Sequence, residues 1–442
     1  MHRQPPSILA LTPTAFVLLL KKSKVSSLHF ATVNGKLIAS HAFLQPIADF
    51  FQEESDDYDT HEGFFLQIGA RSGVLQSAFV HRTCRGPAAG GVRNWLYDNM
   101  EQFFRDGLRL SKGMTHKNAL AGIWWGGGKG VMARNTGSGL MPGESAESRR
   151  IVYEEYGTFM SSLHGCYVTA EDVGTNVNDM AAIFSKTRHT TCIPAELGGS
   201  GNPSIPTARG VLRGIEAAFA SNKKNIVGST IAVQGAGHVG MPLIQFLFEI
   251  GVGKVIASDV DAHRAADIRK MFSSKNFELC IVEKSDNSIL FLDVDAVAPC
   301  ATGGVLNSTT IPKIKAKIVC GAANNQLRDI SKDDRLLAQH GITYLPDFLV
   351  NRMGIVNCCD EHMGVLDEDP KLEEHLGNEW DNAIFNLSLR VLKQAKDTGK
   401  TTQQIAIDLA EKRSMETNPL YGHRGVKIIK WLIGSNEWKH KL

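Results

Sequence analysis

Two lysines twelve residues apart are the residues of this chain best placed to do chemistry: Lys117 and Lys129, in the stretch GMTHKNALAGIWWGGGKGVM. A buried ammonium is costly unless its charge is paired or its pKa falls. The run around Lys129 is apolar on both sides, so this lysine is expected inside the protein rather than on a solvated helix–loop. Two lysines flanking a glycine-lined turn can divide the work. One stays charged and binds a carboxylate, while the other is pushed toward neutrality and acts as a base. A third candidate is Glu171-Asp172, at the end of the apolar run CYVTAED. Strand ends that open into glycine turns are where α/β proteins expose chemistry, and a carboxylate there could shuttle a proton. Asp172 could instead cap the next helix, a task that Asn176 or Asn178 could also supply.

A second centre has the makings of a phosphate cradle. The segment TIAVQGAGHVGMPLIQFLFEIGVGKVIASD holds Gly235-x-Gly237-x-x-Gly240. Six positions constrain little by themselves, but a strand at Ile231 to Val233 precedes them and a helix from Leu243 to Ile250 follows. A second strand, Val255 to Ala257, runs into Asp259, 19 residues beyond Gly240. Gly235 allows the tight turn, Gly237 lets the backbone approach a pyrophosphate, and Gly240 lets helix and strand pack closely. The helix N-terminus is left to hold the anion. Asp259 would accept hydrogen bonds from ribose hydroxyls and repel a 2′-phosphate, which favours NAD over NADP. His238 and Val239, inside the same turn, are counted with the cofactor site.

The elements that position these groups follow from length and texture. At 442 residues, with 43% hydrophobic and 21% charged residues, the chain has material for two or three domains. Forty-eight Lys and Arg against 46 Asp and Glu leave a formal charge of +2, too balanced to grip a phosphate backbone, so no nucleic acid partner is expected. Eight scattered cysteines form no CxxC pair and no His cluster has zinc-like spacing. Reduced thiols, no disulfide framework and no metal are the expectation. No run is long enough to span a bilayer, so the chain is expected to be soluble and intracellular. Residues 1–45 are basic and free of Asp and Glu. They are expected to be a poorly ordered extension, a product of a mis-assigned start, or a transit peptide; the last would make the protein mitochondrial rather than cytoplasmic.

From about residue 63 the pattern is α/β: two strands joined at Arg71-Ser72-Gly73, then a helix from Met100 to Lys112. LGGSGNPSIP at 197–206 is the composition of a crossing between domains. Beyond it come a helix from Thr207 to Ser221 and short apolar strands alternating with helices to about Val350, the pattern of a parallel doubly wound sheet. The remainder, from Asp367, is helical by pattern.

Nine segments in order carry a family resemblance: GPAAGGVRNW (86–95), GLRLSKGMTHKNALAG (107–122), GGGK (126–129), YVTAEDVGT (167–175), SGNPSIPTARGV (200–211), the fingerprint at 235–240, APCATGG (298–304), GAANNQL (321–327) and PDFLVN (346–351). With these the chain resembles the Glu/Leu/Phe/Val dehydrogenase family, most closely its leucine dehydrogenase branch. The resemblance implies NAD-dependent oxidative deamination of an L-amino acid to its 2-oxo acid and ammonia, reversibly, by a homo-oligomer. It implies that Lys117 binds the substrate carboxylate with help from Gly90 and Gly91, that Lys129 is the general base activating water, and that Asp172 exchanges protons with the substrate nitrogen. It places Thr207, Asn324 and Asn325 near nicotinamide and substrate, with Ala301 in the wall beside the cofactor. Ala89 stands where glutamate-using relatives carry a lysine, so the substrate is expected to have an apolar side chain.

One departure is Arg352-Met353, where the family usually has Ala-Gly ahead of Gly354. Arg352 is expected to point to solvent; as a substrate cation it would instead give glutamate-type specificity, and a pocket spoiled by both side chains would leave a non-catalytic NAD-binding relative. A hydroxy-acid or folate-linked dehydrogenase is the other rival, opposed by the paired lysines. His116 is expected to be structural. The expected architecture is a catalytic and oligomerisation domain (46–200), a Rossmann-type NAD domain (206–350) across a cleft, and C-terminal helices (351–442) packing back on the first.

Overall fold

The computed structural model describes residues 5–54, 57–366, 368–435 and 438. The chain divides into two compact units: Met1–Asn202, Glu361–Val365 and Ala410–Leu442 form the first, and Pro203–Asp360 with Leu366–Leu409 the second.

The first unit runs α1 (Pro13–Lys22), β1 (Ser27–Val33), β2 (Lys36–Ala39), α2 (Gln45–Glu54), β3 (Gly63–Ile68), β4 (Leu75–Arg82), β5 (Ala88–Trp95), α3 (Met100–Ala121), β6 (Gly126–Ala133), α4 (Ala146–Ser162), β7 (Tyr167–Glu171) and α5 (Val177–Phe184). Its sheet has the order β2-β1-β3-β4-β6-β5-β7. The strands from β2 to β6 pair antiparallel, whereas β5 is parallel to both β6 and β7. A parallel pair needs a crossover, and α3 supplies it between β5 and β6. On the antiparallel half, Phe30 faces Phe64 and Phe64 faces Phe79 across the strands, with ring centroids 4.7 Å and 5.2 Å apart. Such cross-strand pairs hold register as well as burying area.

Residues 5–45 belong to this core, which corrects their reading as a poorly ordered extension. Thr12 caps α1, Pro13 sits at its first turn, and Phe16, Leu20, Leu28 and Phe30 are buried. The physical cause is apolar area: β1 alone buries five successive residues.

Two further expectations change. The helix predicted to stop at Lys112 continues to Ala121, because Gly113 lies on its open face while Thr115, Asn118 and Ala119 are buried; Gly122, at φ 79°, ends it. The glycines before Lys129 form the strand β6, not a turn. A Cβ on Gly127 would lie 2.0 Å from Thr115 Oγ1 on α3, and one on Gly128 would lie 2.6 Å from the Tyr167 ring. These glycines exist so that helix and strands can close on one another.

The second unit contains α6 (Ser204–Ser221), β8 (Thr230–Gln234), α7 (Gly240–Glu249), β9 (Lys254–Asp259), α8 (Ala265–Met271), β10 (Phe277–Ile281), β11 (Ala296–Pro299), β12 (Ile318–Val319), α9 (Ile330–Gln339), β13 (Thr343–Tyr344) and α10 (Asp347–Val350). Helices α11 (Met353–Met363), α12 (Pro370–Leu376), α13 (Ile384–Thr398) and α14 (Thr402–Ser414) follow, and α15 (Arg424–Gly434) lies in the first unit. All strand pairs are parallel, in the order β10-β9-β8-β11-β12-β13. This is the doubly wound arrangement, whose strand order reverses between β8 and β11. Among the described residues no helix is long and apolar enough to cross a membrane.

Candidate active site

In the first unit three adjacent strands deliver one charged group each. Lys129 projects from the middle of β6, Arg93 from β5, and Asp172 follows the end of β7. Asp172 Oδ1 lies 2.9 Å from Lys129 Nζ, and its Oδ2 accepts from Arg93 Nε at 3.1 Å. Arg93 Nη1 reaches Asp106 on α3 at 3.1 Å, and the Tyr97 hydroxyl donates to the same carboxylate at 2.7 Å. Lys129 is buried, its side chain 4% exposed. Burial lowers its pKa, Asp172 opposes that, and the Arg93 cation adds to the fall. Burial works against the charge on Asp172, yet Lys129 and Arg93 hold its carboxyl well below the usual range. The arrangement is a buried amine of reduced basicity beside a carboxylate held ionised, the pairing a proton-transfer site needs.

The capping question at Asp172 is resolved. Asn176 caps α5 in a reciprocal box with Asp179, which leaves the Asp172 carboxylate to the lysine and arginine. Its neighbour Glu171 differs sharply: burial, with the charges of Asp179 and Asp172, raises its pKa to about 7.

Glycines make room beside this cluster. A Cβ on Gly90 would lie 2.0 Å from the Gly128 carbonyl oxygen and 3.0 Å from Met114 Cγ; one on Gly91 would meet Asp172 Cβ at 2.8 Å. Lys117 is half-buried on α3, one turn beyond Met114. The adjacent Asn118 donates to the Ala89 and Gly126 carbonyls, at 3.3 and 2.5 Å, and so locks α3 to β5 and β6. His116 Nε2 lies 2.6 Å from Glu411 Oε1.

The second unit carries the fingerprint. Gly235, at φ 94°, makes the turn after β8, and a Cβ on Gly240 would lie 1.9 Å from the Gly235 carbonyl oxygen. At Gly237 a Cβ would meet nothing within 4 Å, and Val239 leaves the N-terminus of α7 without a side-chain cap. His238 is exposed. Open backbone N–H groups at a helix start beside bare glycine surface fit a pyrophosphate. Asp259 ends β9, where Oδ2 accepts from the Ala236 N–H at 2.8 Å. Ala301 lies against Gly235, 3.0 Å from where its Cβ would be. Asn351 Nδ2 donates to Asn324 Oδ1 at 2.8 Å, and Asn325, at φ 54°, donates its N–H to Asp347 Oδ2 at 2.9 Å. Thr207 Oγ1 donates to the Pro203 carbonyl and lies 3.0 Å from where a Cβ on Gly354 would be. These residues fit a dinucleotide.

Arg352 does not point to solvent. It is 0% exposed, with Nη2 donating to the Asn382 carbonyl and lying 3.4 Å from His375 Nδ1. Met353 is equally enclosed, its Cγ 2.8 Å from where a Cβ on Gly210 of α6 would be. Sequence reasoning missed Arg93, Asp106, Tyr97 and Asn118. It also missed Glu361, whose carboxylate accepts from the N–H groups of Cys192, Ile193 and Ser200 at 2.9–3.2 Å.

Comparison with known proteins follows the same outline. Residues 73–189 match the Glu/Leu/Phe/Val dehydrogenase dimerisation domain, and residues 198–422 the Glutamate/Leucine/Phenylalanine/Valine dehydrogenase domain. The chain is 38% identical over 311 residues to a leucine dehydrogenase of Geobacillus stearothermophilus, covering 70% of this chain and 80% of that protein. It is 36% identical over 355 residues to an L-tryptophan dehydrogenase of Nostoc punctiforme, covering 80% and 93%. The crystal structure of L-tryptophan dehydrogenase from Nostoc punctiforme superposes with a TM-score of 0.64 at 35% identity, over 80% of this chain and 96% of that one.

Proposed function

The chain belongs to the Glu/Leu/Phe/Val dehydrogenase family and is an amino acid dehydrogenase, and from that premise we propose that it oxidises an L-amino acid with an apolar side chain to its 2-oxo acid and ammonia, using NAD, and runs the reverse amination. The observation that carries the reading is the buried Lys129–Asp172 pair at 2.9 Å. Lys117 binds the substrate carboxylate, and the bare backbone at Gly90 and Gly91 lets the substrate lie close to β5. The cofactor, when bound, supplies the hydride acceptor. Lys129, its basicity reduced by burial, takes a proton from water as the water oxygen attacks the imino carbon. That proton is then held 2.9 Å from Asp172, which exchanges protons with the substrate nitrogen so that it departs as ammonia.

Two features favour an apolar substrate. Ala89 is buried and offers no cation, and a second substrate carboxylate left unpaired in a buried site costs several kcal/mol. Arg352 is fully enclosed, its guanidinium donating to the Asn382 carbonyl. NAD is favoured over NADP by the Asp259 carboxylate beside the fingerprint turn. The gap at Gly237 and the uncapped start of α7 give Gly235, Gly237, His238, Val239 and Gly240 the pyrophosphate, with Thr207, Asn324, Asn325 and Ala301 toward nicotinamide and substrate. The matched dimerisation domain supports a homo-oligomer. Reduction of NAD with leucine, valine, phenylalanine, tryptophan and glutamate at alkaline pH tests the reading. An apolar amino acid is expected to have the highest kcat/KM, and glutamate as best substrate would overturn the assignment of Ala89.

A further inference from the structure

Arg93 stands between two carboxylates and has no task in the reaction described above. Alternate residues of a strand share a face, so Arg93 lies on the face of β5 that Gly91 leaves bare and that Asp172 enters. Its side chain, 19% exposed, uses different nitrogens for the two acids. Nε donates to Asp172 Oδ2 at 3.1 Å, and Nη1 to both oxygens of Asp106 at 3.1 and 3.3 Å. Asp106 is held in turn by the Tyr97 hydroxyl at 2.7 Å and by Arg109 Nη2 at 3.1 Å. Tyr97 stays a donor, because burial and then the charge on Asp106 raise its pKa. Burial works against the charge on Arg93, but Asp172 and Asp106 more than restore it. The charges thus alternate from Arg109 through Asp106, Arg93 and Asp172 to Lys129, from a side chain 60% exposed to one 4% exposed. Helix α3 anchors the line: Asp106 and Lys117 lie on it eleven residues apart, about three turns, and so share one face.

A buried lysine and aspartate left to themselves hold each other charged, and an ammonium locked on its carboxylate has no lone pair to offer a proton. Arg93 gives Asp172 a cation that does not deprotonate. We propose that Arg93, anchored by Asp106 and Tyr97, is a positioning residue: it holds the Asp172 carboxylate ionised and turned toward Lys129, and frees Lys129 from being that carboxylate's only counter-ion. The inference rests on the reading of Lys129 as the base. Two consequences of opposite sign follow. Without the Arg93 cation, Lys129 alone balances Asp172 and its proton affinity rises. Without the Asp106 anion, Arg93 is unopposed and the proton affinity of Lys129 falls. Burial is the first cause of the lowered Lys129 pKa, so a variant that merely loosened the site would raise it in both cases. The charges acting on Lys129 come from the end of β7 (Asp172, after Glu171), from β5 (Arg93) and from α3 (Asp106). Helix α3 also carries Arg109 and Lys117, and β4 places the uncharged Phe79 in register with Lys129.

The test reads Lys129 directly. The full chain, without substrate, is labelled with trace acetic anhydride across a pH series, and acetylation of each lysine is followed by peptide mass spectrometry, with the exposed Lys393 as control. Arg93→Gln is expected to raise the midpoint of Lys129 acetylation by about one pH unit or more, and Asp106→Asn to lower it by a smaller amount. The double variant removes both charges of the pair, so it does not depend on Arg93→Gln folding alone. Its midpoint is expected to lie above that of Asp106→Asn by about one unit. Shifts of the same sign in the two single variants, or no difference between Asp106→Asn and the double variant, would overturn the proposal. The acid limb of kcat/KM for amino acid oxidation is expected to follow the acetylation midpoint in each variant. Midpoints that move as stated while that limb stays in place would uphold the role of Arg93 and overturn instead the assignment of Lys129 as the base, which keeps the two failures apart.

Discussion

Lys129 and Asp172 were legible as single residues because their surroundings in the chain are apolar, and a charge in such a setting demands a partner. Arg93 was not legible: it partners Asp106 only because α3 folds back after β5. Replacing Lys129 by Ala is expected to lower kcat by roughly 10²–10⁴, the scale for a lost general base, with the NADH dissociation constant unchanged by fluorescence titration. Asp259→Ser is expected to raise the NADP/NAD ratio of kcat/KM by roughly fivefold or more, since one relieved like-charge contact is worth about 1 kcal/mol or more. Glu171 permits a pH prediction. Its folded pKa, about 7, lies above its ordinary 4.5, so the folded state binds the extra proton between those values and stability from this group falls as pH rises. Glu171→Gln is therefore expected to raise Tm at pH 8 and to leave it nearly unchanged at pH 4.5, as scanning calorimetry would show.

At the scale of elements, the parallel sheet of the second unit was legible because buried parallel strands are short apolar runs set off by glycine turns. The first unit was harder. GGGKG has the composition of a turn, yet it is a strand whose glycines answer to Thr115 and Tyr167, residues distant in the chain. Local composition cannot report a helix that closes from elsewhere. The N-terminal stretch departs from its expectation for a related reason. Its basic, acid-free composition is silent on Thr12-Pro13, a helix start, and on β1, whose burial requires β3 beside it. The closeness of α3 to β6 yields a test. Gly127→Ala is expected to destabilise the fold by about 1–3 kcal/mol, as overpacking does, read as a lower urea midpoint at unchanged slope.

For the molecule as a whole, stability and cofactor binding should be linked. NADH at about 100 times its dissociation constant is expected to add about 2.7 kcal/mol to unfolding. The Lys129→Ala chain should keep that increment in differential scanning fluorimetry, because the fingerprint lies in the other unit. The division of the first unit into stretches near both ends of the chain bears on how the protein is made. A ribosome releases His116 long before Glu411, its partner 295 residues later. At about 5–20 residues per second that gap lasts roughly 15–60 s. Throughout it, the nascent chain carries Arg82, Arg85 and His116 without the carboxylates of Glu411 and Glu416 that pair with them in the finished fold. The unit that begins first in the chain is thus completed last: its seven strands are made by residue 171, but its stretch Ala410–Leu442 follows the end of the second unit, and chaperones would be expected to meet the sheet before that stretch arrives.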